Sequence, residues 1–433
     1  MPVRYPDEAA GSRLLPEVTF PAFYDIEQDP ESPHLEDVYT AAREAVTELQ
    51  LSDVPTGGTI ALGLGSRGIT DVVPAARGVV EELQSRGYEV IAMPAMGSHG
   101  GASADGQRET LRSLGLDEET LGCPIDARME TVTLGVSALG HEVHFAEAAL
   151  QADAVCVLNR VKAHTNFFGT FESGLTKMTC VGFGKQPGAQ SIHERAIADG
   201  YEDTFRATYD VIRESVTLIG GVAIVENFDH ETAEVTGLPA SALPDGEGPL
   251  LERAYEYMPT LPFEELDVLI VDEIGKDVSG AGMDPNIIGR FRLLNMEDPE
   301  DPDIKRIYVR GLTDTTHGNA MGIGIADVTL IDVIESIDLE QVYANAITSG
   351  SIEKAALPLA LPTEELAFRT ALSTIGAWDP DSVRIAWIRD TNHLREIQVS
   401  AALAEEAEHR PDLTVRDSYR LEFEDGDPVL RPR

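Results

Sequence analysis

Seven short apolar runs, each ending in a polar turn, leave this chain few architectures to adopt. TIALGLGSRG ends in Gly65, Ser66 and Arg67, and YEVIAMPAMGSHG ends in Ser98 and His99. AVCVLNRVKAH runs into Lys162 and His164, and LIGGVAIVENF into Glu226 and Asn227. Amphipathic stretches separate them. In VYTAAREAVTEL, Val38, Ala41, Ala42, Ala45, Val46 and Leu49 recur at helical spacing. DVVPAARGVVEELQSRG carries Pro74 near its start and Gly87 at its end, as a capped helix should. Strand alternating with helix predicts an α/β fold with mainly parallel sheets. Ligands of such sheets collect beyond the carboxyl ends of the strands. Arg67, His99 and His164 all fall there.

The remaining three runs follow a change in composition. PASALPDGEGPLLERAYEYMPTLP, residues 239–262, is rich in proline, glycine and acid. Beyond it LDVLIVDEIGKDVSGAGMDP, IKRIYVRGLTD and VRIAWIRDTNH open a second α/β pattern. The expected organisation is an N-terminal catalytic and cofactor-binding domain over residues 1–255 and a C-terminal α/β domain over 256–433, with an active-site cleft between them. A length of 433 residues suits two domains at about 150 residues each.

Charge narrows the setting and the partners. The chain has 75 acidic and 33 basic residues, a net charge of −42, spread along its length rather than held in one tail. Such charge repels itself strongly at ordinary ionic strength, and is tolerable where the Debye length falls to about 3 Å, near 1 M salt. The economical expectation is a halophilic, cytoplasmic protein. Disorder is disfavoured by 42% hydrophobic residues in periodic segments. Without a basic stripe, nucleic acid is not an expected partner. Neither a signal-peptide core nor a run approaching 18 apolar residues is present, so export and membrane spanning are not expected. Cys123, Cys156 and Cys180 follow no zinc or disulfide spacing.

Against this background KAHTNFFGTFESGLTKMTCVGFGKQPGAQSIH, residues 162–193, stands out. The whole chain has six lysines, and Lys162, Lys177 and Lys185 are among these 32 residues, with His164 and His193. Arginine supplies positive charge elsewhere, but it cannot replace lysine where an amine must act as a nucleophile or change protonation state. Ser173 and Gly174 suggest a turn opening onto a helix before Lys177, where backbone amides could hold a phosphate. Lys185 lies in a second glycine-rich turn of the same kind. His99, flanked by glycines in MGSHGGAS, has backbone room beside it for a ligand. His141 and His144, an H-x-x-H pair in LGHEVHF, read as structural. Two histidines and an arginine suit a small hydroxy acid: imidazole passes protons near neutral pH, and arginine grips a carboxylate. None of these groups accepts a hydride, so chemistry at an unactivated C–H needs a cofactor.

The ordered motifs GSRG, MGSHG, KAHTNFFGTFESGLTKM and the later IH resemble the signature of the nickel-dependent lactate racemase family. The likeness covers most of the first domain. DEIGKDVSGAGMDPNIIGR resembles the second domain of a subgroup of that family. The resemblance implies a racemase or epimerase of a small 2-hydroxy acid that uses a nickel-pincer nucleotide, a pyridinium mononucleotide holding Ni(II) through sulfur and carbon. It implies Lys177 as the tethering lysine and His193 as the nickel ligand. It also implies Ser173 and Gly174 at the nucleotide phosphate, and His99 and His164 as acid/base pair. Arg67 would bind the substrate carboxylate, and Lys276 would be a second-domain substrate contact. GSRGITD replaces a more proline-rich turn of the lactate enzymes, which leaves the particular hydroxy acid open, and a homo-oligomer is compatible. A nucleotide- or anion-binding protein without racemase activity is the alternative. A simple hydrolase with a metal on His99, His164 and His193 leaves Lys177 unexplained.

Overall fold

The computed structural model describes residues 4–66, 68–294 and 296–433. It divides into two compact units, residues 32–258 and residues 1–31 together with 259–433. Both are α/β units; the main sheet of the first is mostly parallel, and the sheet of the second is parallel in part. The first 31 residues join the C-terminal unit, where the sequence reading assigned them to the N-terminal domain. They do so through strand β1 (Ala22–Gln28), whose partners lie near the other end of the chain.

The unit of residues 32–258 contains β2 (Thr59–Leu64), β3 (Glu89–Pro94), the hairpin β4 (Thr131–Val136) and β5 (Glu142–Ala146), β6 (Ala154–Arg160), β7 (Leu218–Glu226) and β8 (Thr232–Pro239). Its main sheet has the order β3-β2-β6-β7-β8, parallel except for the β7–β8 pair. Helices cover both faces, which explains why the strands read as continuous apolar runs rather than alternating ones. Ile60, Leu62, Leu64, Cys156 and Leu158 pack on one face with Ala42, Ala76, Val79 and Val80 from the helices Val38–Ala45 and Val72–Ser85. Ala61, Val155, Val157 and Val225 pack on the other with Phe205, Tyr209 and Ile212 of the helix Tyr201–Ser215.

Chain order places a topological switch point in this sheet. From β2 the chain moves to β3 on one side, then returns to place β6 on the other. The direction of winding therefore reverses between β2 and β6, and α/β sheets open a crevice beyond the carboxyl ends of such a pair.

The second unit has one nine-stranded sheet. Its strands after β1 are β9 (Glu265–Val271), β10 (Asp303–Val309), β11 (Val328–Leu330), β12 (Leu359–Leu361), β13 (Ile385–Ile388), β14 (Glu396–Ser400), β15 (Leu413–Glu424) and β16 (Asp427–Pro432). The order is β12-β11-β10-β9-β13-β14-β1-β15-β16. The first five are parallel. The other four form an antiparallel extension with β1 inserted between β14 and β15. Among the described residues no helix is long and apolar enough to cross a membrane.

Candidate functional site

Beyond the carboxyl ends of β2 and β6 the chain packs closely. A side chain at Gly65 would place its Cβ 3.0 Å from Asn159 Oδ1 and 3.2 Å from Met178 Cε. Asn159, near the end of β6, donates from Nδ2 to the Gly174 carbonyl at 3.0 Å. Lys162 and Ser173 exchange backbone hydrogen bonds of 3.0 and 3.2 Å, closing residues 163–172 into a loop. Ser173 and Lys162 thus brace the chain that carries His164.

The inside of that loop is organised by Glu172, a residue the sequence reading passed over. Its carboxylate accepts the His164 amide at 2.5 Å, the Gly169 amide at 3.3 Å and the Tyr255 hydroxyl at 2.9 Å. The side chain is buried, and burial pushes its pKa up to about 7 although these donors and Lys177 pull the other way.

His164 and Lys177, 13 residues apart in sequence, meet directly: Lys177 Nζ is hydrogen-bonded to His164 Nε2. The Asn166 amide donates to His164 Nδ1 at 3.0 Å, so Nδ1 presents a lone pair. A neutral ring then carries its proton on Nε2, facing Lys177. Phe167 stacks beside this pair, its ring 4.6 Å from that of His164 and 4.8 Å from that of Tyr201.

His193 joins the same cluster from the helix Lys185–Asp199. Its Nδ1 is 3.1 Å from the Tyr201 hydroxyl. Burial first, and Lys177 second, lower its pKa to about 4, so the imidazole is neutral over the ordinary pH range. Burial raises the Tyr201 hydroxyl to about 12, which keeps it protonated. If Tyr201 accepts Nδ1–H, Nε2 is left with the lone pair a metal requires. Neutral imidazole is a ligand suited to nickel. Lys177 precedes a π turn, Met178–Gly182, in which Phe183 donates to the Met178 carbonyl at 3.2 Å. Widened turns of this kind are frequent at functional sites.

His99 stands on the neighbouring loop, past β3. It is exposed, and its Nδ1 is hydrogen-bonded to Ser66 Oγ past the end of β2. The Gly97 amide donates to the Gly182 carbonyl at 3.2 Å, tying this loop to the π turn. The structure therefore brings His164, Lys177 and His193 into one cluster, with His99 on the adjoining loop. Arg67 lies outside the described residues. Lys276 belongs to the other unit, where its Nζ donates to the Gly280 carbonyl at 2.6 Å.

Two expectations about the glycine turns change. The amides offered to a phosphate in SGLTK are engaged by a carboxylate from far along the chain. Leu175 N and Thr176 N donate to Glu247 at 2.6 and 2.9 Å. Glu247 is buried, and its pKa is raised by that burial. Gly174 is required for this approach, because a Cβ there would lie 1.9 Å from Glu247 Oε2. Lys185 is not a phosphate hook: only 1% exposed, its ammonium donates to the Pro94 carbonyl at 2.7 Å and to Gln107 Oε1 at 3.0 Å. His141, read as structural, sits between Ser137 Oγ at 2.7 Å and Thr208 Oγ1 at 2.8 Å. Among the described residues no group of three or more His, Cys, Asp or Glu side chains is arranged to hold a metal.

No protein-family model matches the chain, and no curated protein matches it.

Proposed function

We propose that residues 32–258 carry the site of a racemase or epimerase for a small 2-hydroxy acid, using the nickel-pincer nucleotide of the family the sequence resembles. The observation that carries this reading is the pairing of the Lys177 amine with the His164 imidazole beside neutral His193. An amine nucleophile, a proton carrier and a metal-competent imidazole are the groups such a cofactor and substrate need from the chain.

Lys177 would tether the cofactor and His193 would ligate its nickel. When bound, the cofactor supplies a reversible hydride acceptor. A nucleotide phosphate would have to displace Glu247 from the SGLTK amides, so we assign none to that turn. His164 and His99 act on the substrate hydroxyl, one taking its proton and the other returning a proton to the opposite enantiomer. Both rings are held at Nδ1, His164 by the Asn166 amide and His99 by the Ser66 hydroxyl. Nε2 of His99 would then be the nitrogen through which it trades protons, while Nε2 of His164 faces Lys177. The low pKa of His193 keeps it neutral and so available as a ligand.

The test is expression in cells that make the cofactor, followed by intact mass, nickel content and C2-deuterium exchange over a panel of 2-hydroxy acids in molar salt. Wild type is expected to carry a covalent adduct and near-stoichiometric nickel. Lys177→Ala should lose the adduct, and His164→Gln should retain nickel while losing exchange. Wild-type protein with neither nickel nor exchange refutes the proposal. Nucleotide binding that survives without exchange in every substrate tried would favour a binding protein of the same fold.

A further inference from the structure

One buried polar network lies beneath the His99 loop and takes no part in the cluster around Lys177. Lys185 has a backbone φ of 52°, in the left-handed region that residues with a Cβ seldom occupy. Glycine would meet that backbone requirement, but it would deliver no ammonium. Lysine here accepts an unfavourable backbone and a buried charge together, in a chain with only six lysines. Its Nζ reaches the Pro94 carbonyl at the end of β3 and Gln107 Oε1 on the helix Ala104–Ser113.

Gln107, fully buried, turns its other end on the loop. Its Nε2 donates to the Gly97 carbonyl at 2.9 Å and to the His99 carbonyl at 3.3 Å. Because Lys185 can only donate, it obliges the Gln107 amide to present its oxygen to the ammonium and its NH2 to the loop. The amide orientation is thereby set, and with it the two carbonyls on either side of Ser98. Gly97, Gly100 and Gly101 all have positive φ, 57°, 63° and 64°, so the loop backbone has little intrinsic preference to hold it in place. A guanidinium would be too broad for a compact tetrahedral donor buried between these two acceptors.

We infer that Lys185 is a positioning residue for His99, acting through Gln107. The inference rests on the reading of His99 as an acid/base residue, but its physical content, the ordering of the loop, can be measured without that reading.

The experiment compares wild type, Lys185→Met and Gln107→Glu as full chains in molar salt. Gln107→Glu keeps an acceptor for Lys185, so it protects against a variant that merely fails to fold, yet it removes both donors to the loop. Amide hydrogen exchange is followed by mass spectrometry in residues 95–102 and, as reference, in β6 and β7. Losing the two loop bonds in Gln107→Glu, or the ammonium that orients Gln107 in Lys185→Met, is expected to speed exchange in 95–102 on the order of tenfold, with β6 and β7 unchanged. In cofactor-loaded protein kcat should fall while KM stays near the wild-type value, as for a misplaced proton carrier rather than a lost substrate contact. Unchanged exchange at 95–102 in either variant overturns the inference, and so does faster exchange spread evenly over the unit. Should wild type show no hydroxy-acid chemistry, the functional proposal fails, while the exchange comparison still decides the role of Lys185.

Discussion

Glu172 is buried and His193 partly buried near Lys177, and their pKa values move in opposite senses, which allows a test on the cofactor-free chain. Glu172 rises from 4.5 to about 7, so between those values the folded state holds a proton that the unfolded state has released. Stability contributed by this group is present at low pH and lost as pH rises through that window. A shift of two and a half units at 1.36 kcal/mol per unit is roughly 3 kcal/mol. His193 falls from 6.5 to about 4, so there the unfolded state holds the extra proton. Its contribution is present above pH 6.5 and lost as pH falls towards 4, again by roughly 3 kcal/mol. The two slopes cancel over most of the shared range in wild type. Urea unfolding from pH 4 to pH 8 in molar salt separates them. Relative to wild type, Glu172→Gln should gain roughly 3 kcal/mol as pH rises from 4.5 to 7, and His193→Gln should lose about as much from 4 to 6.5. Burial is the leading cause of both shifts, so the slopes should persist where salt screens Coulomb terms. Stability differences from wild type that stay flat with pH for both variants would refute the burial of this cluster.

Two other measurements probe the surrounding packing. Gly174→Ala should force the Glu247 carboxylate away from the Leu175 and Thr176 amides, since the new Cβ would lie 1.9 Å from Oε2. We expect a loss of roughly 2–4 kcal/mol in urea unfolding, the scale of a buried charge deprived of its donors, and an unchanged midpoint contradicts the close approach. Cys123 and Cys156 are buried, and desolvation pushes their thiols up to about 11 and about 12, with Cys180 also raised. A disulfide reagent at pH 8 should therefore find almost no reactive thiol in folded protein and three after unfolding; fast labelling of the folded chain would contradict their burial.

The parallel strands were legible because burial on both faces leaves an unbroken apolar run. TIALGL, EVIAMP and AVCVLNR all became strands of one sheet. β1 was not legible as part of the C-terminal sheet, since AFYDIEQ acquires its meaning from pairing with residues 396–400 and 413–420. Such antiparallel partners leave no local mark on either segment. The same distinction separates the site residues that the sequence disclosed from those it hid. Lys177 and His164 stood out because lysine is scarce, and they proved to be partners. Glu172 was one acid among 75, and nothing local distinguishes a buried carboxylate from a solvated one in so acidic a chain.

The glycine turns show the other limit of local reading. A glycine beside a helix start says that something approaches the backbone, but it does not say what. At Gly174 the approaching group is the chain's own Glu247, 73 residues later, in place of a phosphate oxygen with the same charge and hydrogen-bonding needs. At Lys185 the glycines around it suggested a second phosphate-holding turn, while its positive φ and buried ammonium make it an anchor for β3 and Gln107. Scarcity of lysine marked both Lys177 and Lys185 as retained for a reason. Composition could not separate the two reasons, because reactive amine and buried tetrahedral donor are both roles that guanidinium fills badly. The structure separates them by partner: imidazole and nearby carboxylate for Lys177, a backbone carbonyl and an amide oxygen for Lys185. Chemistry at the first should depend on the cofactor, whereas the order of the His99 loop should depend on the second even in its absence.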